Sequence, residues 1–389
     1  MKHRNIERVP EKPAIAASYE PIAPVRLRLA PFLIVLLIPR LLMGETNQTI
    51  AARWLANAPA VPPFTVPSSL ETWQTKRKEI RSTVWGLLGK LPQRTPAPKI
   101  EKLSRDDRGD YVLEKFRFDN GAGASVPGYL LLPKPLNGKA PAILYCHWHG
   151  GQYEIGKEEL FQSQHTPEPP GPALARRGFA VLGVDAYCFG ERNGQGPGGP
   201  EEKGAAGELT ASKFNLWVGR TLWGMILRDD LMALDYLAAR PEVDTNNIGV
   251  MGMSMGATRA WWLMALDERL KTGVPICCLT RYQNLIEREL LKAHGIYYFV
   301  PNLLNHFDTE AIVALLAPRP VLFLDGDNDG TSPADGIHAI EAAVKPVYRM
   351  FGSEQNFQSV VYPGQGHLYT PEMWRRTLDW LEQNLKPRN

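Results

Sequence analysis

Short, nearly continuous apolar runs recur through the chain from about residue 140 and alternate with stretches of helical periodicity. The apolar runs are 142–146, 179–184, 248–251, 274–279 and 321–324, and the clearest helical stretches are 222–239 and 254–266. Strands buried on both faces lose the alternation of polar and apolar residues, and parallel strands need crossover helices. The pattern therefore predicts an α/β protein with a doubly wound, mostly parallel sheet.

The region before the parallel sheet has a different pattern. Two extended runs, 111–118 and 126–132, flank the Gly-rich turn at 119–123 and predict an N-terminal antiparallel hairpin. Upstream, 71–91 has helical periodicity, and the Pro-rich stretch 59–67 is typical of an extended linker. We therefore divide the chain into three parts: a leader (1–45), an N-terminal linker and helical extension (46–98), and one catalytic domain (99–389).

The charge balance and the cysteines exclude several classes of protein. The 389 residues carry 44 Lys and Arg against 41 Asp and Glu, and a net charge of +3 gives no electrostatic basis for a nucleic-acid partner. The four cysteines have neither CxxC nor Cys/His metal spacing. They are predicted to be buried free thiols.

An apolar segment around Leu29–Ile38 leaves the localisation open. Ten residues cannot span a bilayer that requires about 20, so we predict no stable membrane span. A short apolar core preceded by Arg26 and Arg28 resembles a secretory signal, which would export the protein to the periplasm or beyond. No clear cleavage site follows. The alternative is a disordered tail or an interfacial anchor on a protein that stays in the cytoplasm.

The sharpest chemical signal is Gly252-Met253-Ser254-Met255-Gly256, between a predicted strand and a predicted helix. This is the context of a nucleophile elbow, in which a tight strand-to-helix turn exposes the Ser hydroxyl and glycines avoid side-chain clashes. Ser254 is thus the predicted nucleophile. The alternative is a glycine-rich start of a helix with no catalytic role.

A serine nucleophile needs a base and an acid, which follow it along the chain in this kind of fold. His367 lies in a Gly-rich loop after an apolar run and is the predicted base, because His338 falls inside a predicted helix. The acid should follow the apolar run at 321–324, where three aspartates compete. Asp329 is preferred, Asp327 is the main alternative, and Asp325 lies at the strand end itself.

A tetrahedral intermediate also needs hydrogen-bond donors for its oxyanion. One is predicted to be the backbone N–H of Met255, the residue after the nucleophile. The other should come from the loop His147-Trp148-His149-Gly150-Gly151, where we favour the N–H of His149 over those of Trp148 and Gly150. The two histidines lack a predicted carboxylate partner, so no metal site is assigned.

These features make the chain resemble an α/β-hydrolase, and more narrowly the branch of dienelactone-hydrolase-like and acetyl-xylan-esterase-like proteins. The matching segments are 147–151, Asp185 with 189–192, 228–230, 252–256, 326–329 and 366–367. The resemblance implies serine-dependent ester hydrolysis through an acyl-enzyme, with no cofactor. Dienelactone hydrolases proper use a Cys nucleophile, so Ser254 favours hydrolysis of carboxylic esters.

The predicted function is a carboxylic ester hydrolase acting on a small-molecule or carbohydrate ester, with acetylated carbohydrate as one substrate class. The alternatives are a serine peptidase of the prolyl-oligopeptidase kind and a lipase-like esterase, since both share the elbow and the order of the triad. A binding protein on the same fold would require a broken triad. The stretches 190–207 and 280–307 are predicted to form the walls of the pocket, and the sequence predicts no particular oligomeric state.

Overall fold

A computed structural model of the protein describes residues 49–95 and 97–386. The leader and its apolar segment therefore lie outside the described residues. Within the described ranges, none of the helices combines the length and apolar character needed to cross a bilayer.

One nine-stranded sheet organises the fold. The strands are β1 (Ile100–Asp107), β2 (Tyr111–Asp119), β3 (Ser125–Pro133), β4 (Ala140–Cys146), β5 (Ala180–Val184), β6 (Val243–Met253), β7 (Leu270–Ile276), β8 (Val321–Gly326) and β9 (Phe357–Tyr362). Their order across the sheet is β1-β2-β3-β5-β4-β6-β7-β8-β9. The β1–β2, β2–β3 and β3–β5 pairs are antiparallel. All the following pairs in this order, from β5–β4 to β8–β9, are parallel. The predicted doubly wound, mostly parallel sheet is confirmed.

Helices precede the sheet and connect its strands. They are α1 (Ile50–Ala56), α2 (Leu70–Leu88), α3 (Pro170–Arg176), α4 (Gly204–Trp217), α5 (Leu222–Ala238), α6 (Met255–Leu266), α7 (Tyr282–Glu287), α8 (Thr309–Ala314), α9 (Ala334–Met350) and α10 (Pro371–Leu385). Six short 3-10 turns lie in the loops, at Gly156–Phe161, Gly190–Arg192, Leu291–Ala293, Ile296–Tyr298, Leu303–Asn305 and Glu354–Asn356. The N-cap of α10 is Thr370, whose hydroxyl accepts a hydrogen bond from the N–H of Met373.

The predicted hairpin is present, but the strand β1 beside it was not predicted. β2 and β3 pair antiparallel around the turn, with Phe118 opposite Val126. β1 adds an outer strand whose sequence is largely charged and whose residues are mostly exposed. An edge strand with charged side chains lacks the apolar alternation by which strands are recognised in a sequence.

The predicted helix 71–91 ends three residues early. Gly89 adopts a φ of 92°, and a Cβ at this position would lie 2.5 Å from the carbonyl oxygen of Gly219. The backbone of Thr221 then donates to the carbonyl of Leu88. A left-handed glycine and this close approach of a second chain segment end the helix, although the apolar spacing continues beyond it.

Both faces of the sheet are covered by apolar layers, as expected for strands without alternation. Leu144 belongs to the cluster on one face, and its neighbours Ile143 and Tyr145 belong to the cluster on the other. All four cysteines are buried and free, as predicted. Trp223, Trp261 and Trp262 are buried in the core, whereas Trp217 at the end of α4 is 93% exposed.

Candidate active site

Ser254 lies at the junction between β6 and α6 in a backbone conformation that is rare for a residue with a side chain. Its φ is 58° and its ψ is −117°. The Ser254 N–H donates to the carbonyl of Ile276 at the end of β7, at 2.9 Å, which holds the turn in place. Strain of this kind persists only where the surroundings impose it, and it is characteristic of functional sites. The geometry is that of the predicted nucleophile elbow.

The two glycines of the elbow are explained by contact with the end of β4. A Cβ on Gly256 would lie 2.0 Å from the carbonyl oxygen of Cys146, and one on Gly252 would lie 2.3 Å from the same atom. No side chain fits either position without displacing backbone. The elbow and the loop that follows β4 are therefore packed directly against each other.

Asp329 and His367 come together as an acid–base pair. His367 Nδ1 lies 2.7 Å from Asp329 Oδ2. The other oxygen of Asp329 accepts hydrogen bonds from the N–H of Thr331 at 2.8 Å and from its hydroxyl at 2.7 Å. The Asp329 side chain is buried and that of His367 is 26% exposed. Since Nδ1–H donates to the carboxylate, Nε2 is the unprotonated nitrogen that can accept a proton.

The two competing aspartates occupy other positions. Asp327 is exposed and accepts the N–H of Gly364 at 2.7 Å, so it holds the turn that follows β9. Asp325 is buried and accepts the N–H of Leu279 at 3.2 Å, while its second oxygen has no hydrogen-bond partner among the described residues. Burial raises the pKa of Asp325 to about 7. Only Asp329 pairs with His367.

The loops that carry the acid and the base are fixed to each other. A Cβ on Gly326 would lie 2.2 Å from the carbonyl oxygen of Gln365, so this glycine permits the two loops to touch. The Cys277 thiol donates to the carbonyl of Leu368 at 3.3 Å, which joins the end of β7 to the residue after His367. Burial raises the pKa of the Cys277 thiol, so it remains protonated and able to donate.

Ser254 follows β6 and His367 lies in the loop after β9, and both segments are hydrogen-bonded to residues at the end of β7, through Ile276 and Cys277. In the described part of the chain, the Ser254 hydroxyl makes no hydrogen bond to His367 Nε2. Catalytic hydrogen bonds in ligand-free enzymes are often long and tighten only when substrate is bound. The Asp329–His367 pair is therefore already formed in the ligand-free protein, and Ser254 is partly exposed at its turn.

The backbone N–H groups of the loop after β4 differ in whether they already have a hydrogen-bond acceptor. The N–H of Trp148 is occupied, because it donates to the buried carboxylate of Glu159 at 2.7 Å. The N–H of Gly151 donates to His149 Nδ1 at 3.0 Å. The N–H of His149 donates to no atom of the described residues. These contacts argue against Trp148 as an oxyanion donor and leave the N–H groups of both His149, the preferred donor, and Gly150, its alternative, available among the described residues.

His147 fixes the direction of the His149 amide. The N–H of Ala186 donates to His147 Nε2 at 3.0 Å, so the ring proton lies on Nδ1, which donates to the carbonyl of Trp148 at 2.8 Å. Burial holds the pKa of His147 well below its usual value, which keeps the ring neutral and this arrangement intact. In a trans peptide the C=O and N–H point in opposite directions. The His149 N–H therefore points away from His147.

The side chain of His149 has a carboxylate partner that sequence reasoning missed. His149 Nε2 lies 2.8 Å from an oxygen of Glu208 on α4, and the ring stacks on Tyr297 with centroids 4.9 Å apart. Both partners come from the stretches predicted as pocket walls, or from directly beside them. The separation of 59 residues between His149 and Glu208 leaves no local pattern that could have revealed the pair.

One group of possible metal ligands exists among the described residues. Single donor atoms of Cys277, Asp329 and His367 lie within 4.8 Å of one another. Two of the three already bind each other as the acid–base pair, and the thiol is engaged with Leu368. The loop histidines, His147 and His149, are not members of this group.

The charged runs around 191–192 and 228–230 form buried ion pairs. Arg192 pairs with Asp229 at 3.0 Å, and Arg259 on α6 binds Asp230 through two nitrogens. The same Arg259 donates to the carbonyl of His147 at 3.4 Å. The Arg259–Asp230 pair connects α5 to α6, the helix that follows Ser254.

Comparisons with known proteins agree with this architecture. The chain is 36% identical over 309 residues to a Bacillus subtilis (strain 168) protein named "Putative hydrolase YtaP", covering 79% of this chain and 99% of that protein. Similar solved structures include one titled "putative acetyl xylan esterase" from Bacteroides fragilis NCTC 9343, with 20% identity, a TM-score of 0.63 and 80% coverage of both chains. Another is a glucuronoyl esterase from Solibacter usitatus, with 18% identity and a TM-score of 0.62, covering 83% of this chain and 99% of that one.

The matched family model extends over almost all of the described chain. Residues 57–382 match the model of the Abhydrolase family, and this range contains the elbow, the Asp329–His367 pair and the loop after β4. The match to this family model and the observed sheet both agree with the predicted α/β-hydrolase fold. The chain is therefore a member of the Abhydrolase family.

Proposed function

We propose that the protein is a serine-dependent carboxylic ester hydrolase that acts through an acyl-enzyme. Ser254 is the nucleophile, His367 the base and Asp329 the acid, and the backbone N–H groups of Met255 and His149 bind the oxyanion. The observation that carries this proposal is the Asp329–His367 hydrogen bond of 2.7 Å in a chain that also holds Ser254 in a strained strand-to-helix turn. Each half would be weak evidence alone, since many buried histidines pair with a carboxylate.

In the proposed mechanism, His367 Nε2 removes the Ser254 hydroxyl proton as Oγ forms a bond to the ester carbonyl carbon. The negative charge on the carbonyl oxygen is bound by the two N–H groups. The tetrahedral intermediate collapses with cleavage of the bond to the alcohol oxygen, which takes the proton from His367. Asp329 remains ionised and stabilises the imidazolium. A water molecule, deprotonated by the same base, then releases the acid and regenerates the hydroxyl.

We propose a carbohydrate acetyl ester as the substrate. The names of the structural neighbours suggest esters of carbohydrates, although identities of 18–20% extend no further than the fold. The side chains near His367 are consistent with a neutral polar ligand. Burial lowers the pKa of His165, which therefore stays neutral near pH 7 beside Gln152. A neutral imidazole and an amide can both bind hydroxyl groups.

The alternatives differ in the bond they cleave. A serine peptidase of the prolyl-oligopeptidase kind would hydrolyse dipeptide amides, and a lipase-like esterase would prefer long acyl chains. Trp223, Trp261 and Trp262 are buried in the core and offer no exposed apolar surface to a long acyl chain. We therefore expect short acyl esters to be hydrolysed faster than long-chain esters or peptide amides.

The test is a panel of p-nitrophenyl esters of increasing acyl length, acetylated xylo-oligosaccharides and a dipeptide amide, assayed with the wild type and Ser254→Ala. We expect hydrolysis of acetyl esters that falls on the order of 10⁶-fold in the variant. Thermal unfolding of both proteins should show that the fold is unchanged. Ester hydrolysis that survives in Ser254→Ala would reject the nucleophile, and faster cleavage of the amide would favour the peptidase.

A further inference from the structure

Glu159 is a buried carboxylate that the proposed mechanism does not use. It is 2% exposed and lies in the 3-10 turn Gly156–Phe161, beyond the loop that follows β4. One oxygen accepts the Tyr145 hydroxyl at 2.6 Å, and the other accepts the N–H of Trp148 at 2.7 Å. A buried carboxyl group is costly unless its oxygens are bound, and here each oxygen accepts a hydrogen bond from a different segment of the chain, Tyr145 on β4 and Trp148 in the loop after it.

The peptide between His147 and Trp148 is held from both ends. Its N–H donates to Glu159, and its carbonyl accepts from Arg259 at 3.4 Å. Arg259 is itself fully buried and bound to Asp230, so neither partner can turn away. Both ends of the peptide are therefore bound by buried side chains, the Glu159 carboxyl group from the turn after the loop and the Arg259 guanidinium from α6, the helix that follows Ser254.

The 3-10 turn is anchored independently of the loop. The N–H of Lys157 donates to Asp185 Oδ1 at 2.7 Å, and the Lys157 ammonium lies 2.9 Å from Asp185 Oδ2, just beyond the end of β5. Because this turn is anchored to Asp185, the Glu159 side chain that it carries can hold the loop after β4 in place. Glu159 binds the peptide group between His147 and Trp148. The following peptide group, between Trp148 and His149, carries the N–H of His149.

We infer that Glu159 is a positioning residue for the oxyanion hole: together with Arg259 it clamps the His147–Trp148 peptide, and this clamp directs the His149 N–H at the oxyanion. The inference rests on the proposed function. Glu159 touches neither substrate nor nucleophile and acts only through the backbone. Its contribution is limited by the effect of one oxyanion donor, about 10²–10³-fold in kcat.

The experiment measures kcat and KM for p-nitrophenyl acetate in Glu159→Ala, Glu159→Gln and the wild type. The Ala variant should lose about 10²-fold in kcat with little change in KM, because only transition-state stabilisation is removed. The Gln variant keeps a carbonyl oxygen for the Trp148 N–H and should recover most of that loss. Glu114→Ala is the matched control, since Glu114 is 1% exposed and ion-paired with Arg240 on the hairpin side of the sheet. Its kcat should stay near that of the wild type.

Three results would overturn the inference: an unchanged kcat in Glu159→Ala, a Gln variant as impaired as the Ala variant, or an equal loss in Glu114→Ala. If Glu159→Ala does not remain folded, Arg259→Lys replaces it. Lysine can still pair with Asp230 but lacks the planar fork that also reaches the His147 carbonyl. An unchanged kcat in Arg259→Lys would then reject the clamp.

A second readout separates this inference from the proposed function. Phosphonylation of Ser254 by a fluorophosphonate also builds negative charge on an oxygen beside the nucleophile, and it requires no ester substrate. If the wild type is phosphonylated at Ser254 but hydrolyses no ester, the proposed function fails, and the phosphonylation rates of the same variants still test the clamp. If Ser254 is not phosphonylated, the nucleophile and the clamp are both rejected.

Discussion

Replacing Asp325 by Asn should change how the stability of the protein depends on pH. Asp325 is fully buried below the acid–base pair, and one of its oxygens has no partner among the described residues. Burial raises its pKa from the ordinary value of 3.8 to about 7. The native state therefore holds a proton on Asp325 that the unfolded chain releases from about pH 4 upward.

The size of the effect follows from the shift in pKa. Stability from a raised pKa is fully present below pH 3.8 and is lost as the pH rises through about 7. A shift of about three units corresponds to about 4 kcal/mol over this interval. Asn cannot ionise, so the free energy of unfolding of Asp325→Asn, minus that of the wild type, should increase steadily between pH 4 and pH 7 and then level off.

Urea unfolding of both proteins at half-unit steps from pH 4 to pH 8, followed by fluorescence, measures this difference. Other titrating groups largely cancel, because they are present in both proteins. A difference that stays constant with pH would show that Asp325 ionises normally in the native state. A difference that falls as the pH rises would show that an unrecognised donor stabilises its charge.

Three other outcomes are expected. Asp329→Asn should lower kcat about 10⁴-fold, because it removes the carboxylate that orients His367. Asp327→Asn changes only the turn after β9 and should leave kcat close to that of the wild type. If Asp327→Asn lowered kcat more than Asp329→Asn, Asp327 would be the acid. Gly256→Ala should abolish activity and destabilise the protein, because its Cβ would meet the Cys146 carbonyl oxygen at 2.0 Å. Its control is Gly86→Ala in the last turn of α2, where a Cβ meets no atom within 4 Å and should stabilise the protein by up to roughly 0.5–1 kcal/mol. In the native protein, all four cysteines should resist alkylation by iodoacetamide, because each is buried. Burial also raises the thiol pKa of Cys277 and Cys278, which keeps these thiols protonated. Mass spectrometry that detected rapid labelling before unfolding would contradict this.

The fold was predictable because its information is local. The apolar runs of the parallel strands, the hairpin turn and the cap at Thr370 each follow from neighbouring residues, and the structure contains all of them. β1 escaped prediction because a charged edge strand has no apolar pattern. The end of α2 escaped because it depends on Gly219, a residue 130 positions away in the sequence.

In the candidate site too, the residues that could be predicted are those marked by a local sequence pattern. The elbow and the pairing of Asp329 with His367 could be proposed from chain order and from the strand ends, and the pair is now seen as a hydrogen bond. Glu208 and Arg259 could not have been identified. Their partners His149 and His147 lie 59 and 112 residues away, and nothing beside Glu208 or Arg259 distinguishes them from surface charges.

The contact of the His149 ring with Glu208 and Tyr297 has a consequence for how this scaffold can diversify. Segments that surround a ligand usually change most freely between relatives, because they carry no structural burden. Here the same segments brace the residue whose backbone N–H is proposed to meet the reacting oxygen. Exchanging these segments to recognise a different alcohol would also shift that amide, so each new specificity would have to restore the turnover rate by compensating substitutions around residue 149.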